Sequence, residues 1–408
     1  MAINVLHISI SDALGGAAIA SQRLHSIFSK ERSLNSKMLV LVKNTSDQTT
    51  VELTFTRRQI ARFGNLINNW LGRFKKIDGL FSFALIGNEL HQRQIVRDAD
   101  VIYIHWVNNG MMSWRAIEKL FLLKKPIFLF GHDMWYFTGG CHQSNGCALY
   151  KNGCGDCPVF NNSLHKNLVK SNFKDKKIAY ESNANVKHIL PSSDFFRKTL
   201  CSSIIDSSKV IFIPNILDTY KFVPAPVFEK SDTIKILYGA MGGKTNPYKG
   251  WDDFIYFAGQ VTEKYKSSVE IHLFGYDFLS DELESLPFKA VSHGMIDEEC
   301  QIIKMYQKID VFVFPSNQES FGQTLIEAMS CGVIPIAYNV GIAPDAIVSG
   351  QNGFLVEIGD RINLVNAFDT LLSMDIYQIK NNVRASIERN FSKEVIIKKH
   401  LNLIQASL

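Results

Sequence analysis

No run of about eighteen uninterrupted apolar residues occurs in this chain, so no helix is expected to span a membrane. The first ten residues lack a basic leader and a small-residue cleavage site. A first buried strand explains them better than a secretory signal, and the expected location is the cytoplasm. A strong charge excess is missing too: 44 Lys and Arg against 39 Asp and Glu leave +5, too mild to imply nucleic acid as a partner. No internal repeat is visible. Cysteine is sparse, seven in 408 residues and therefore odd, and without a leader disulfides are not expected.

What is present is an ordinary globular composition, 46% hydrophobic and 20% charged, in a chain too long for one core. Short apolar runs at 4–10, 37–42, 101–106, 126–130, 189–192 and 210–214 alternate with helical patterns, and the alternation restarts at 234–238, 269–275, 311–314, 333–337 and 354–356. This predicts an α/β protein of two Rossmann-like, doubly wound parallel sheets facing a cleft. The expected division is 1–221 with 393–408 returning to it, and 222–392, with Pro224 and Pro226 in the linker.

The stretch 310–332 organises the second half. Val311 to Phe314 reads as a strand buried on both faces, closed by Pro315. A helix is expected from Gly322 to Gly332, so Glu319 stands just before a helix N-terminus and Glu327 about a turn inside it. The N–H groups at such a start favour anions, and an ionised carboxylate grips neighbouring hydroxyls. Two carboxylates around a phosphate-friendly helix start suit a sugar nucleotide; the plainer reading is a helix-cap acid and a solvated helix face.

The wording Pro315-Ser-x-x-Glu319-Ser-Phe-Gly322-x-x-x-x-Glu327-Ala-Met-x-Cys-Gly332 resembles the Glu-x7-Glu signature of retaining GT-B glycosyltransferases. The resemblance implies that Glu319, with Ser320, Phe321 and Gly322, contacts the donor hexose, and that Glu327 holds the nucleotide ribose. Lys249-Gly250 matches the family's Lys-Gly, whose Lys neutralises the donor diphosphate. The family's upstream Arg is absent, and Lys244 is the nearest substitute, without the planar fork of Arg. In the first half, Gly15 and Gly16 form a strand–glycine–helix turn of the phosphate-approach kind. The resemblance places them beside the donor diphosphate and acceptor. It likewise places His132, after the 126–130 strand, near the donor phosphate and hexose, with His105 a weaker candidate for the acceptor.

The implied reaction moves a hexose from a nucleotide sugar, UDP- or GDP-linked, to a hydroxyl with retention. The resemblance implies neither a protein nucleophile nor a cofactor required for catalysis. The final helix, 394–406, is expected to cross back to the first domain.

Four cysteines, Cys141, Cys147, Cys154 and Cys157, crowd into one Gly-rich loop. Three readings stand: a structural zinc, free thiols, or a redox pair. Together with His132-Asp133-Met134-Trp135, this patch resembles bacterial transferases that build colanic acid, capsule or O-antigen chains. Such enzymes imply a glycan or lipid-linked saccharide acceptor at the inner face of the cytoplasmic membrane. Residues 55–77 add a helical pattern of Ile60, Phe63, Ile67, Trp70, Leu71 and Phe74 among six basic residues, with no acid between Glu52 and Asp78. It is read either as a helix packed on its own domain with a solvated basic face or as a helix for an anionic membrane surface.

Two other functions are open to this sequence. Gly242-Gly-Lys-Thr245 after a strand suggests a nucleotide triphosphatase, but the P-loop's first glycine is Tyr238 and Pro247 interrupts the helix that should come next. A zinc-bearing scaffold on a degenerate enzyme fold is the other.

Overall fold

A computed structural model describes residues 2–77, 79–226 and 232–408. It comprises two compact units, Met1–Ile216 with Ile396–Leu408, and Leu217–Val395. The dividing point falls just before the expected one. Leu217 and Phe222 pack into the second unit's core, and Arg384 donates to the carbonyls of Thr219, Phe222 and Ser330. This segment therefore belongs to the second unit.

In the first unit seven strands form one parallel sheet: β1 (Ile3–Ser11), β2 (Leu34–Val42), β3 (Thr50–Glu52), β4 (Val101–Ile104), β5 (Ile127–Phe130), β6 (Val186–Leu190) and β7 (Val210–Phe212), in the order β3-β2-β1-β4-β5-β6-β7. β4 and β5 are buried throughout, which is why they read as unbroken apolar runs. Helix Lys393–Gln405 returns Ile396 and Ile404 to this core, beside Val5, Phe28 and Tyr103.

The second unit has a six-stranded parallel sheet of β8 (Ile234–Gly239), β9 (Val269–Phe274), β10 (Ala290–Ser292), β11 (Val311–Phe314), β12 (Ile334–Tyr338) and β13 (Phe354–Val356), in the order β10-β9-β8-β11-β12-β13. In each sheet the order reverses once, between β1 and β4 and between β8 and β11. Open α/β sheets bind ligands beyond the carboxyl ends of the strands at such a reversal. The candidate site residues other than the cysteines lie on loops or helices that come directly after strands.

Two helices of the first unit shape the walls around its β1/β4 reversal. α1 (Gly16–Phe28) starts at Gly15, whose φ of 89° is open to glycine at little cost. α2 (Phe55–Gly72) packs by its small residues. A Cβ on Gly64 would meet the Ile86 carbonyl at 2.5 Å, so backbone lies against backbone there.

Candidate active site

In the second unit the loop after β8 turns twice before helix Trp251–Tyr265 begins. Gly250 has φ 65°, and a Cβ on it would lie 1.9 Å from the Pro315 carbonyl oxygen. Only glycine lets this turn settle on the end of β11. The contact is reinforced by the Asn317 N–H donating to the Tyr248 carbonyl at 2.8 Å. Lys249 is thereby carried to Glu319, Nζ to Oε1 2.5 Å, with both side chains largely buried.

Glu319, Ser320 and Phe321 are held from the other side by the loop after β12. The Ile342 N–H donates to the Phe321 carbonyl at 2.7 Å, and a Cβ on Gly341 would strike Glu319 and Phe321. Gly322, at φ 106°, then opens helix Gln323–Ser330. Glu327 sits in that helix, buried, with the Tyr306 hydroxyl 3.5 Å from its Oε2. The expected strand, polar loop and helix of 310–332 are thus formed, and Lys249, Glu319, Phe321 and Gly322 meet in one place.

Lys244 is not with them. Its ammonium pairs with Glu282, close to the Tyr276 ring. The Gly243–Thr245 segment is a single 3-10 turn instead of the start of a helix, so the glycine-rich loop does not form the phosphate cradle of a P-loop.

In the first unit a cavity of 570 Å³ opens at the reversal between β1 and β4. Gly15 and Gly16, Trp106, His132 and Asp133 line it, with Ala61, Arg62 and Asn65 of α2. Nothing lies within 4 Å of a Cβ on Gly15 or Gly16, so the backbone there is approachable. His132 is the end of a histidine row running into the core. His105 Nδ1 is 3.0 Å from His132 Nε2, and His7 Nδ1 is 3.0 Å from His105 Nε2. Burial lowers His132 to about 4, outweighing the nearby Asp133 charge, and pushes His7 and His105 well below their usual value. The row is neutral at physiological pH.

Asp133 is fixed by three partners: the Trp135 N–H at 2.9 Å, the Trp106 indole N–H at 2.6 Å and His142 Nδ1 at 2.5 Å. Burial acts to raise its carboxyl, but His142 and these hydrogen bonds win and hold it below the usual range. His142 belongs to the cysteine loop, so that loop braces a wall of the cavity. Beneath it, the fully buried Lys176 donates to the carbonyls of Trp135 and Thr138 and lies 3.8 Å from the Trp135 ring centre. Burial depresses its amine to about 7.

The cysteines themselves are not gathered as a tetrahedral zinc site requires. Cys141 and Cys157 perturb one another, the Cys141 thiol being pushed up and that of Cys157 lowered to about 7. Cys154, at φ 48°, turns its sulfur toward the Gly139 N–H at 3.4 Å. Among the described residues no group of three or more His, Cys, Asp or Glu is arranged to hold a metal ion.

Residues 231–391, which carry Lys249, Glu319 and Glu327, match the family described as Glycosyl transferases group 1. The matched residues lie within the second unit. Across the whole chain the likeness is to GT-B folds. HepE of Anabaena, in complex with UDP-glucose, superposes with a TM-score of 0.65 at 15% identity, covering 99% of this chain and 100% of that one. A glycosyltransferase from Rickettsia africae ESF-5 gives 0.64 at 15% identity, covering 100% and 98%.

Among curated relatives, an Escherichia coli (strain K12) protein described as a putative colanic acid biosynthesis glycosyl transferase, WcaC, is 25% identical over 80% of this chain and 82% of its own. The capsular polysaccharide biosynthesis glycosyltransferase CapM of Staphylococcus aureus is 36% identical over 23% of this chain and 25% of its own. The chain spans under half the length of several curated relatives that it matches.

Three contributors to these two sites escape a reading of the sequence. His7 lies inside a buried strand and looks like core. Lys176 lies on helix Ser163–Ser182 among solvated lysines. Asp133 reads only as part of a motif, although its position directly after His132 at a strand end is a usable signal.

Proposed function

We propose that this protein is a retaining glycosyltransferase that moves a hexose from a UDP- or GDP-hexose to a hydroxyl of a growing bacterial surface polysaccharide. The acceptor is a glycan or a lipid-linked saccharide. The observation that carries this reading is the Lys249–Glu319 pair at the mouth of the β8/β11 reversal, with the buried Glu327 in the helix that comes after it. The relatives assigned to capsule and colanic acid synthesis, and the UDP-glucose complex of HepE, support the substrate classes.

In this reading the arriving diphosphate takes Lys249 as its counter-ion and releases Glu319 to accept from hexose hydroxyls. Glu327 accepts from the ribose. The first-unit cavity takes the acceptor, with His132 offering a neutral imidazole. Catalysis then rests on positioning and on electrostatic stabilisation of a departing diphosphate.

The test is a panel of UDP- and GDP-sugars, read by protection against unfolding and by release of the nucleotide. One nucleotide sugar should stand out. Glu327→Ala should weaken its binding by roughly 1.5–3 kcal/mol, through lost hydrogen bonds to a charged group. Glu319→Gln should lower turnover more than affinity. If no sugar nucleotide binds, or both variants turn over like the wild type, the assignment fails.

A further inference from the structure

α2 is built inside out. At about 100° per residue, Ala61, Gly64, Asn68 and Leu71 fall on one face, and Phe55, Phe63, Leu66 and Trp70 on the opposite one. The small face is buried: Ala61 is 1% exposed and Gly64 abuts backbone. The large apolar face is not: Phe55 is 67%, Phe63 55%, Leu66 66% and Trp70 56% exposed. The next segment continues the surface with exposed Phe74, Ile77 and Leu80. The helix is thus packed on its own domain, as one reading expected, but through Ala61, Gly64, Asn68 and Leu71 and not through its large apolar stripe.

A contiguous exposed apolar surface of this size marks an interaction site. Its surroundings identify the partner. Six basic residues lie within 57–76, with no acid between Glu52 and Asp78. Three of them are occupied: Arg58 pairs with Glu52 at 2.8 Å, Arg57 donates to the Glu89 carbonyl and Lys75 to the Gly79 carbonyl. Arg62, Arg73 and Lys76 are exposed. A second copy of this face would bring like charges together in a two-fold contact. Aromatic and aliphatic side chains flanked by cations match the boundary of an anionic bilayer.

We propose that α2 and the segment through Leu80 dock the first unit on an anionic lipid surface, the apolar stripe entering the headgroup boundary and Arg62, Arg73 and Lys76 meeting lipid phosphates. The same helix lines the first-unit cavity with Ala61, Arg62 and Asn65. Arg62 therefore lies between the docked stripe and the cavity, and docking sets the cavity beside the headgroup layer. This inference rests on the surface of α2 alone and does not need the donor reading, because lipid binding requires no nucleotide sugar.

The experiment is co-sedimentation of the full chain with phosphatidylcholine vesicles, with and without phosphatidylglycerol. Wild type should pellet with the phosphatidylglycerol vesicles and be released by salt. The exposed-face triple variant Phe63→Ser, Leu66→Ser, Trp70→Ser should stay in the supernatant while melting like the wild type. Arg73→Gln with Lys76→Gln should lower partitioning by about fivefold per charge removed. Equal sedimentation of wild type and triple variant, or no sedimentation of the wild type, overturns the proposal. So does a wild-type dimer in light scattering that the triple variant lacks, which would make this face a protein interface.

Discussion

His105 holds its Nδ1 3.0 Å from Nε2 of His132, and that contact decides which nitrogen of His132 can act. Both rings are neutral, so each carries one N–H, and the row from His7 through His105 to His132 must donate in a single direction. Nε2 of His7 is buried without a partner among the described residues. A buried lone pair left unmet is tolerated better than a buried N–H, so Nδ1 of His7 donates to His105 and His105 donates to His132. His132, which lines the cavity, then carries its proton on Nδ1.

Under the proposed function, His105 acts by positioning His132. His105→Phe should keep the fold and remove the donor to His132. Turnover is expected to fall by about tenfold, the worth of one buried hydrogen bond, with little change in KM. His132→Gln, which can still donate, should retain more activity than His132→Leu. Equal losses in those two variants would contradict the donor role.

Acid should unfold the first unit early. His132 is lowered to about 4, and His188 and His400 to about 3, chiefly by burial. Between those values and about 6.5 the unfolded chain binds protons that the folded chain refuses. Stability therefore falls as pH drops below about 6.5 and stops falling only under the folded values. His132 alone contributes about 3 kcal/mol to that loss. Asp133, held below the usual carboxylate range, works in the same direction at lower pH. Melting temperatures should hold from pH 8 to about 6.5 and decline from there to pH 5; a profile flat down to pH 5 would refute the neutral row.

Gly250 sets the position of Lys249 through its contact with the Pro315 carbonyl. Gly250→Ala places a methyl where none fits, at a positive φ. It should cost about 2 kcal/mol or more in the second unit and loosen nucleotide-sugar binding. Gly146→Ala is the control. It also has positive φ but open space around it, so only the conformational cost should appear. Similar losses in the two variants would show that the close approach is not what matters.

The sheets are legible in the sequence because buried parallel strands announce themselves as unbroken apolar runs, and β4, β5 and β11 do so. Glu319 and Lys249 are legible as two separate motifs of a resembled family, while their meeting and its cause, the Gly250–Pro315 approach, are not, since they join residues far apart in sequence. α2 shows in its periodicity, and its orientation does not. Period fixes which residues share a face, but which face turns inward depends on the backbone opposite, here Ile86 and Gly110. The cysteine spacing suggests a metal and cannot foresee that Cys154 turns toward Gly139. Lys244 looks available to phosphate because Glu282 is distant in sequence.

Lys176 offers one more use of this architecture. Burial depresses its amine to about 7, toward the uncharged nucleophilic form, yet the folded chain seals it from reagents. An acylating probe can mark it only while the segment over it swings away. The rate of its modification, set against that of surface lysines, is then a clock for the breathing of the cysteine loop, readable by mass spectrometry on the unmodified wild-type chain.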